Sequence, residues 1–315
     1  DTIFPFFLFI VGVSMALSFG RRRAMGSAPG ALYGHVVRRA AVLVGLGLLL
    51  NVTSAVAFHA AHVRFPGVLQ RIGLCVLVAG SVFVAGGIRA SALAAGVLLA
   101  GYAWLLGAGP LDPETNVAAR VDRLVFGVHT WKPGWDPEGL LSTLPAIATT
   151  LLGAVAGERV RTLGRPRRAA AELAAVGVAA FTAGLLWGRI LPINKNLWTS
   201  SYALAMSGLA AVALALAIEI VDERGWRRWA APFVWLGRNA IAIFTLSVLG
   251  AIVLIAIRVP GPGGTSRSVW SAIYRTVFDR FADPRFGSLL FALAYLAVWI
   301  LVGGVLYRRR IFLRI

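Results

Sequence analysis

The chain has 315 residues, of which 58% are hydrophobic, a formal net charge of +18 and a mean hydropathy of +0.78. Soluble domains are nearer half apolar, so this composition excludes a soluble globule and indicates an integral membrane protein with the lipid bilayer as partner. The charge does not indicate nucleic-acid binding, because the basic residues stand in short clusters between apolar runs and not on one soluble face.

The apolar runs predict an all-α integral membrane protein, a polytopic helical bundle whose residues 1–315 form a single multi-pass domain. The chain begins at Asp1 and enters an apolar run without a basic n-region, so we expect no signal peptide and at least one more helix upstream. A crossing helix needs about 20 apolar residues. The nine predicted spans cover residues 2 to 20, 40 to 58, 66 to 87, 90 to 108, 139 to 157, 169 to 191, 199 to 221, 232 to 257 and 287 to 307.

Arginines are concentrated in the short loops on one side of this predicted bundle, which include Arg21 to Arg23, Arg38, Arg39 and the loop at 158 to 168. Cytoplasmic loops carry an excess of Lys and Arg. We therefore predict a protein of the plasma (cytoplasmic) membrane whose C-terminus is cytoplasmic. In that topology the segment 192 to 202 faces outward.

The outer loop at 59 to 65 leads into a helix that carries Gln70 and Arg71. At about 1.5 Å per residue, Arg71 lies roughly 7 Å along the helix from Pro66. One interpretation is an arginine that extends to the membrane interface. The other is that Gln70 and Arg71 point into the bundle and hold a polar ligand, with Arg64 as a second cation.

The first long outer loop ends in Asp136-Pro-Glu138-Gly, and the acidic residues around Pro137 predict that a helix starts there. Within that helix, Gly153 and Gly157 form a Gly-x-x-x-Gly pattern that permits close helix packing, in the chain or in a homodimer. His59 and His62 are three residues apart, but no Cys, Asp or Glu nearby completes a metal site, so we predict no metal.

The polar segment Pro-Ile-Asn-Lys-Asn-Leu-Trp-Thr-Ser-Ser-Tyr at 192 to 202 separates two apolar runs. A tight turn with an interfacial tryptophan explains the indole but not two amides beside a lysine. Lysine and amides bind anionic or carbonyl oxygens and stabilise the oxyanion of acyl transfer. The predicted substrate-binding residues are Asn194, Lys195, Asn196, Trp198, Thr199 and Ser201, together with Arg64, Gln70, Arg71, Asp136 and Glu138.

Gly237-Arg238-Asn239 opens a predicted span at the cytoplasmic face. Either Arg238 only follows the positive-inside tendency, or these residues contact the phosphates of a nucleotide. The predicted cofactor-binding residues are Arg38, Arg39, Arg238 and Asn239.

Several stretches resemble the heparan-alpha-glucosaminide N-acetyltransferase-like transmembrane acyltransferases. They are DTIFPFFLFIVGVSMALS at 1 to 18, RFPGVLQRIGLC at 64 to 75, DPEGLLSTLPAIATTLLGAVAG at 136 to 157, LPINKNLWTSSY at 191 to 202, PFVWLGRNAIAIF at 232 to 244 and YRRRIFLRI at 307 to 315. The resemblance implies a multi-pass enzyme that takes an acetyl group from cytoplasmic acetyl-CoA and delivers it to an amino sugar or related glycan on the outer face.

In that family, the histidine regarded as the base lies before the block that begins here at Asp1. None of His35, His59, His62 and His129 matches its position, so no catalytic residue is assigned and we expect this segment to be an incomplete enzyme. A secondary transporter or a non-catalytic lipid- or sugar-binding membrane protein is the alternative, since polar groups among many spans also mark substrate pathways.

Overall fold

The described part of the chain, residues 1–107, 109–280 and 283–312 of a computed structural model, forms two compact units. The first unit comprises Asp1–Leu48 and Arg64–Gly225, and the second comprises Leu49–Val63 and the chain from Trp226 onward. The single domain predicted over 1–315 stays a prediction.

Seven helices contribute to the first unit, and they follow the predicted apolar runs. They are α1 (Ile3–Ala24), α2 (Pro29–Ala57, in this unit as far as Leu48), α3 (Val68–Gly107), α4 (Val117–Phe126), α5 (Thr143–Leu163), α6 (Pro166–Trp187) and α7 (Ser200–Ala217), which a π-helical turn (Ile218–Glu223) continues. The polar segment 192 to 202 connects α6 to α7, as predicted.

Glycines bring α1 and α5 into backbone contact. A Cβ atom at Gly153 would stand 2.0 Å from the Phe9 carbonyl oxygen, and one at Gly12 would stand 2.0 Å from the carbonyl oxygen of Thr150. Gly157 packs in the same way on Val13. Small residues allow such close approach of helices in a membrane. The predicted close packing is therefore confirmed within the chain, and both glycines of the pattern face α1; the homodimer stays a prediction.

Six helices of the described residues are long and apolar enough to cross a membrane, or seven if one bent pair counts as a span. This all-α, polytopic architecture confirms the predicted class, but the count is lower than the predicted nine. The predicted spans 66 to 87 and 90 to 108 are two helices that meet at a kink at Gly87 (φ 62°, ψ −146°) within α3, which is counted once in this number. A third, α5, is buried along most of its length and carries Glu158 and Arg159, so its sequence is less apolar.

The start of α5 was predicted near Pro137, and this was wrong, because the helix begins at Thr143. Side chains from elsewhere in the unit bind the backbone and carboxylates of residues 136 to 142, which keeps that segment irregular. Irregular backbone at this position presents carbonyl groups that a helix would have used internally.

The second unit contains α8 (Ala231–Arg238) after a short 3-10 turn (Arg228–Ala230), then α9 (Ala240–Ala256) and α11 (Pro284–Arg308). The predicted span 232 to 257 bends by 74° between α8 and α9. A β-hairpin follows α9. Its strands β1 (Arg258–Pro260) and β2 (Ser266–Ser268) are joined through Pro262–Gly264 and are antiparallel, with Val259 opposite Arg267. The short helix α10 (Val269–Ile273) and a π-helical turn (Tyr274–Phe278) come next and lead toward α11.

Gly153→Ala is expected to destabilise the first unit, because the new methyl group meets the backbone of α1, which cannot move aside as a side chain can. Gly96→Ala in α3 is the matched control, since a Cβ there meets nothing within 4 Å and alanine favours the helix. The thermal unfolding midpoint in detergent should fall for Gly153→Ala and stay equal or rise for Gly96→Ala. Equal midpoints for the two variants would contradict the proposed packing.

Candidate functional site

Arg71 lies at the start of α3 and is buried, with 1% of its surface exposed. Its Nη2 atom donates hydrogen bonds to the carbonyl oxygens of Pro137 (2.8 Å) and Gly139 (3.2 Å) and to the Ser142 hydroxyl. Arg71 forms no salt bridge with any carboxylate in the described ranges. The guanidinium therefore brings a buried positive charge that is balanced by dipoles, by aromatic rings and, at longer range, by the Glu138 and Asp136 carboxylates.

Two rings supply part of that balance. The Arg71 guanidinium carbon lies 5.2 Å from the ring centroid of Trp198 and 6.0 Å from that of Phe4. A cation over an aromatic face is attracted by the ring quadrupole, and more strongly when water is excluded. Trp198 is 1% exposed, so the indole is a buried wall of this site and not the interfacial anchor that the tight-turn interpretation required.

Trp198 adopts a left-handed backbone conformation (φ 49°), which is unfavourable for a bulky side chain. Its surroundings hold it there. Phe4 and Tyr202 make edge-on contacts with the indole, with ring centroids 5.1 and 5.5 Å away, and the Tyr102 hydroxyl donates to the Leu197 carbonyl at 2.6 Å. Strained residues persist when neighbours determine them, and they cluster at functional sites.

Three buried N–H donors of this site have no acceptor among the residues that the structure describes. They are Nε and Nη1 of Arg71 and Nε1 of Trp198. A buried donor without a partner costs about 1–3 kcal/mol, and more when it is charged. The chemical complement of this group of donors is a ligand oxygen with negative charge or carbonyl character.

The segment 136 to 142 is held from a second side by Arg64. The guanidinium makes a two-point ion pair with Asp136 (2.6 and 2.8 Å) and also contacts the Glu138 carboxylate. Asp136 accepts two more bonds, from the backbone N–H groups of Trp131 and Glu138. Burial disfavours the charge of Arg64, yet the two carboxylates outweigh that effect and raise the pKa of the guanidinium. Arg64 and Asp136 thus neutralise each other and fix the loop.

Asp122 of α4 holds the same segment from a third side, and the sequence analysis did not single it out. The residue is 1% exposed, and its Oδ1 accepts a 2.8 Å hydrogen bond from the Leu140 N–H. Burial, with a smaller contribution from the Asp136 charge, raises the pKa of Asp122 to about 6, although the Leu140 bond and the Arg71 charge oppose the rise. The only sequence signal was an acidic residue among alanines and arginines in a short amphipathic helix.

The polar side chains between α6 and α7 largely bind their own loop. Asn194 accepts hydrogen bonds from the N–H groups of Asn196 and Leu197, which is an Asx-type turn. Thr199 donates to the Pro192 carbonyl at 2.9 Å, and Ser201 donates to that of Leu191 at 2.7 Å. The Asn194 amide oxygen and the hydroxyls of Thr199 and Ser201 therefore stabilise the loop itself. Contact of these three side chains with a ligand stays a prediction.

Lys195 and Asn196 are exposed, and Lys195 forms an ion pair with Asp1. Gln70 is buried, donates to the Phe65 carbonyl at 3.1 Å and packs against Gly47 of α2. Of the predicted substrate-binding residues, the structure therefore places Arg71 and Trp198 in direct contact, and joins Arg64, Asp136 and Glu138 to them through one loop. Ligand roles for the others stay predictions.

A cluster of arginines lies at the other end of α1. Arg22, Arg38 and Arg39 all lie close to His35, and Arg23 donates to the Val84 carbonyl at 2.8 Å. No salt bridge joins a described carboxylate to Arg21, Arg22, Arg23, Arg38 or Arg39. Arg21, Arg22 and Arg23 of this cluster lie at the C-terminal end of α1, whereas Phe4, whose ring lies beside the Arg71 guanidinium, lies at the N-terminal end.

Arg238 and Asn239 belong to the second unit, at the bend between α8 and α9. The Asn239 side chain is buried and donates to the Ile311 carbonyl at 3.0 Å, and the Arg238 guanidinium lies 5.3 Å from the Phe312 ring. Both side chains thus contact the end of the chain. Binding of a nucleotide by these two residues stays a prediction.

A cavity of about 240 Å³ lies between α1, α5, α6 and α7, lined by apolar residues such as Phe9 and Leu204 with the Arg159–Glu172 ion pair at its edge. Among the residues that line it there is none of the predicted site residues. No group of three or more His, Cys, Asp or Glu side chains that could hold a metal occurs among the described residues.

The fold and this site define an all-α, multi-pass membrane protein whose first unit holds a buried arginine over an indole ring. The family model described as "Heparan-alpha-glucosaminide N-acetyltransferase, catalytic" matches residues 1–189, more than half of the chain. The chain therefore belongs to that family, as its sequence motifs indicated.

Two curated relatives match the whole chain. The heparan-alpha-glucosaminide N-acetyltransferases of Mus musculus and Homo sapiens are 26% and 24% identical to it over 384 aligned positions. The alignments cover 100% of this chain and 54% of each relative, so the chain spans about half the length of the curated relatives it matches. They include the α6–α7 segment with Trp198, which lies beyond the residues that the family model matches.

Replacing Asp122 should remove a pH dependence of stability. A carboxyl whose pKa rises on folding from 3.8 to about 6 favours the folded state fully below pH 4, and this contribution is lost as the pH rises through 6. Asp122→Asn keeps an acceptor oxygen but does not titrate. Its thermal midpoint, measured in detergent from pH 4 to 8, should therefore vary less between pH 4 and 6 than that of the wild type.

The control is Glu114→Gln, which removes an exposed acid from the same loop and should keep the wild-type pH profile. Identical profiles for Asp122→Asn and the wild type would show that Asp122 does not titrate in this range.

Proposed function

We propose that this chain is the membrane-embedded part of an acetyltransferase that moves the acetyl group of acetyl-CoA to an amino sugar or related glycan. Membership of the family supports the acyl-transfer chemistry. The single structural observation that supports it is the buried Arg71 over the ring of Trp198, because Nε and Nη1 of Arg71 and Nε1 of Trp198 have no partner among the described residues.

The reaction needs such donors. A neutral amine attacks the thioester carbonyl, the carbon–sulfur bond breaks, and the coenzyme leaves as a thiolate that takes up a proton. The carbonyl oxygen carries negative charge in the tetrahedral intermediate. Preformed N–H donors in a site without water stabilise that charge without reorganisation. In this proposal, Arg71 and Trp198 donate to the oxygen, and the Arg64–Asp136–Glu138 group fixes the loop and faces the acceptor.

A base must also take a proton from the acceptor ammonium before the attack. The family that the chain resembles uses a histidine for that step, and none of the four histidines here matches its position. The contribution proposed for the residues of this chain is donor binding, orientation and oxyanion stabilisation, with Asn194, Lys195, Asn196, Thr199 and Ser201 at the acceptor side.

The two ends of α1 fit the two halves of the reaction. The arginine cluster, with Arg38 and Arg39, offers charge-assisted hydrogen bonds to the phosphates of coenzyme A. Arg238 and Asn239 stay predicted cofactor-binding residues of the second unit. The positive-inside tendency places that end in the cytoplasm of a plasma membrane, with a cytoplasmic C-terminus. The Arg71 site would then lie toward the opposite face, where the acceptor binds.

Arg71→Lys and Trp198→Phe test the oxyanion role in the full-length protein. Lysine keeps the charge but loses the planar array of N–H donors, and phenylalanine keeps a ring but loses the indole N–H. Each change should lower kcat by about 10²-fold to 10³-fold, the loss typical for one oxyanion donor. Transfer of radiolabelled acetyl groups from acetyl-CoA to a panel of amino sugars measures this effect.

Arg120→Lys is the matched control, because Arg120 is exposed and bonds only its own loop in the described structure. Lys195→Ala combined with Asn196→Ala tests the acceptor side separately. Wild-type transfer by Arg71→Lys would contradict the oxyanion role, and wild-type transfer by the double variant would contradict the acceptor role of those two residues.

Arg38→Gln and Arg39→Gln test donor binding. If these side chains bind coenzyme A phosphates, each change should raise the KM for acetyl-CoA about tenfold, the loss expected for a charge-assisted hydrogen bond, with little change in kcat. The dependence of KM on salt should also weaken. Arg89→Gln, an exposed arginine predicted on the same face, is the control. Unchanged KM values would place the phosphates elsewhere.

A further inference from the structure

We infer that Asp122 is a positioning residue for the Arg71 guanidinium, acting through the backbone of Gly139 and Leu140. The inference rests on the proposed function for its catalytic consequence, but its structural basis is independent. Asp122 does not bond to Arg71. Instead it fixes the loop whose carbonyl groups hold one end of the guanidinium.

The first link is the contact between α4 and the loop. Asp122 Oδ1 accepts the Leu140 N–H at 2.8 Å, and Oδ2 occupies the place where a side chain at position 139 would begin, 1.8 Å from an ideal Cβ. Only glycine fits there. The carboxylate therefore fixes both the position and the orientation of the Gly139–Leu140 peptide.

The second link joins that peptide to the guanidinium. The Gly139 carbonyl accepts from Arg71 Nη2 at 3.2 Å, and it also accepts from the hydroxyls of Ser142 (3.1 Å) and Thr143 (2.7 Å). Because Ser142 contacts the same Nη2 atom, a shift of the Gly139 carbonyl moves two of the three protein acceptors of Arg71. Nε and Nη1, the donors without partners, turn with the rest of the planar group.

The third link is the rigidity of α4 itself. Its N-terminus is capped by Asn116, whose side chain accepts the Ala119 N–H at 2.9 Å, and Ala118 and Ala119 are buried on the same face as Asp122. Near its other end, Arg123 donates to the Glu114 carbonyl at 2.7 Å. A ten-residue helix with both ends tied gives Asp122 a fixed base from which to act.

A double-mutant cycle between Asp122 and Arg71 tests the inference in the full-length protein. The variants are Asp122→Ala, Arg71→Lys and the combination, with Asp122→Asn as the conservative change and Glu114→Gln as the control. Asp122→Ala should lower kcat about 10-fold to 100-fold, the range for a misplaced catalytic group, with a smaller change in the KM for acetyl-CoA. Asp122→Asn, which keeps an acceptor, should retain more activity, and Glu114→Gln all of it.

The decisive outcome is the combination. If Asp122 acts through Arg71, Asp122→Ala should reduce kcat much less in the Arg71→Lys background than in the wild type, and the falls in thermal midpoint should not add. Additive effects on both measurements would overturn the inference. If wild type shows no transfer while the thermal effects remain coupled, the proposed function fails and the positioning role stands. If the wild type transfers acetyl groups normally and the effects of the two changes are additive, the proposed function stands and the positioning role of Asp122 fails.

Discussion

Burial of the Arg71 guanidinium is the constraint on which the site depends. Removing a cation from water costs several kcal/mol unless the protein supplies compensating partners. Here the direct contacts are to carbonyl oxygens of one irregular loop and to the rings of Phe4 and Trp198, while the Glu138 and Asp136 carboxylates act on the charge from farther away. Nε and Nη1 of Arg71 have no acceptor within the described residues, whereas the Arg64 guanidinium is paired with Asp136.

The helix packing makes this burial possible. Gly12 and Gly153 bring α1 against α5 at backbone distance, which carries Phe4 to the start of α5 and to Arg71. The same helix ends in Arg21, Arg22 and Arg23, which are exposed and form no described salt bridge. Its 22 residues are about 33 Å long, roughly the thickness of a membrane, so these arginines and Phe4 beside Arg71 lie at opposite ends of it. The proposed function needs such a separation, with a donor that carries several phosphates at one end and an acceptor at the other.

Much of this was predictable from the sequence, and the limits have physical causes. Apolar runs located the helices, and the small-residue pattern at Gly153 and Gly157 predicted their contact, because both depend on local spacing. The roles of Trp198 and Asp122 depend on contacts between residues distant in sequence. A tryptophan beside polar residues is as typical of a membrane interface as of a buried wall, and an acid in a loop is usually solvated. Only the burial of Trp198 and Asp122 in the structure decides between an interfacial and a buried tryptophan, and between a solvated and a buried acid.

The contacts that hold the site suit the proposed enzyme better than the transporter alternative. A transport site must open to both faces in turn, which requires elements that move against each other. Trp198 instead stands in a strained backbone conformation fixed by Tyr102, Tyr202 and its own loop, and the loop at Arg71 is held by Arg64 and Asp122. Donors that are fixed before the substrate arrives lose no energy to reorganisation as charge develops. A preformed arrangement of this kind suits stabilisation of a transient oxyanion better than the release of a bound solute.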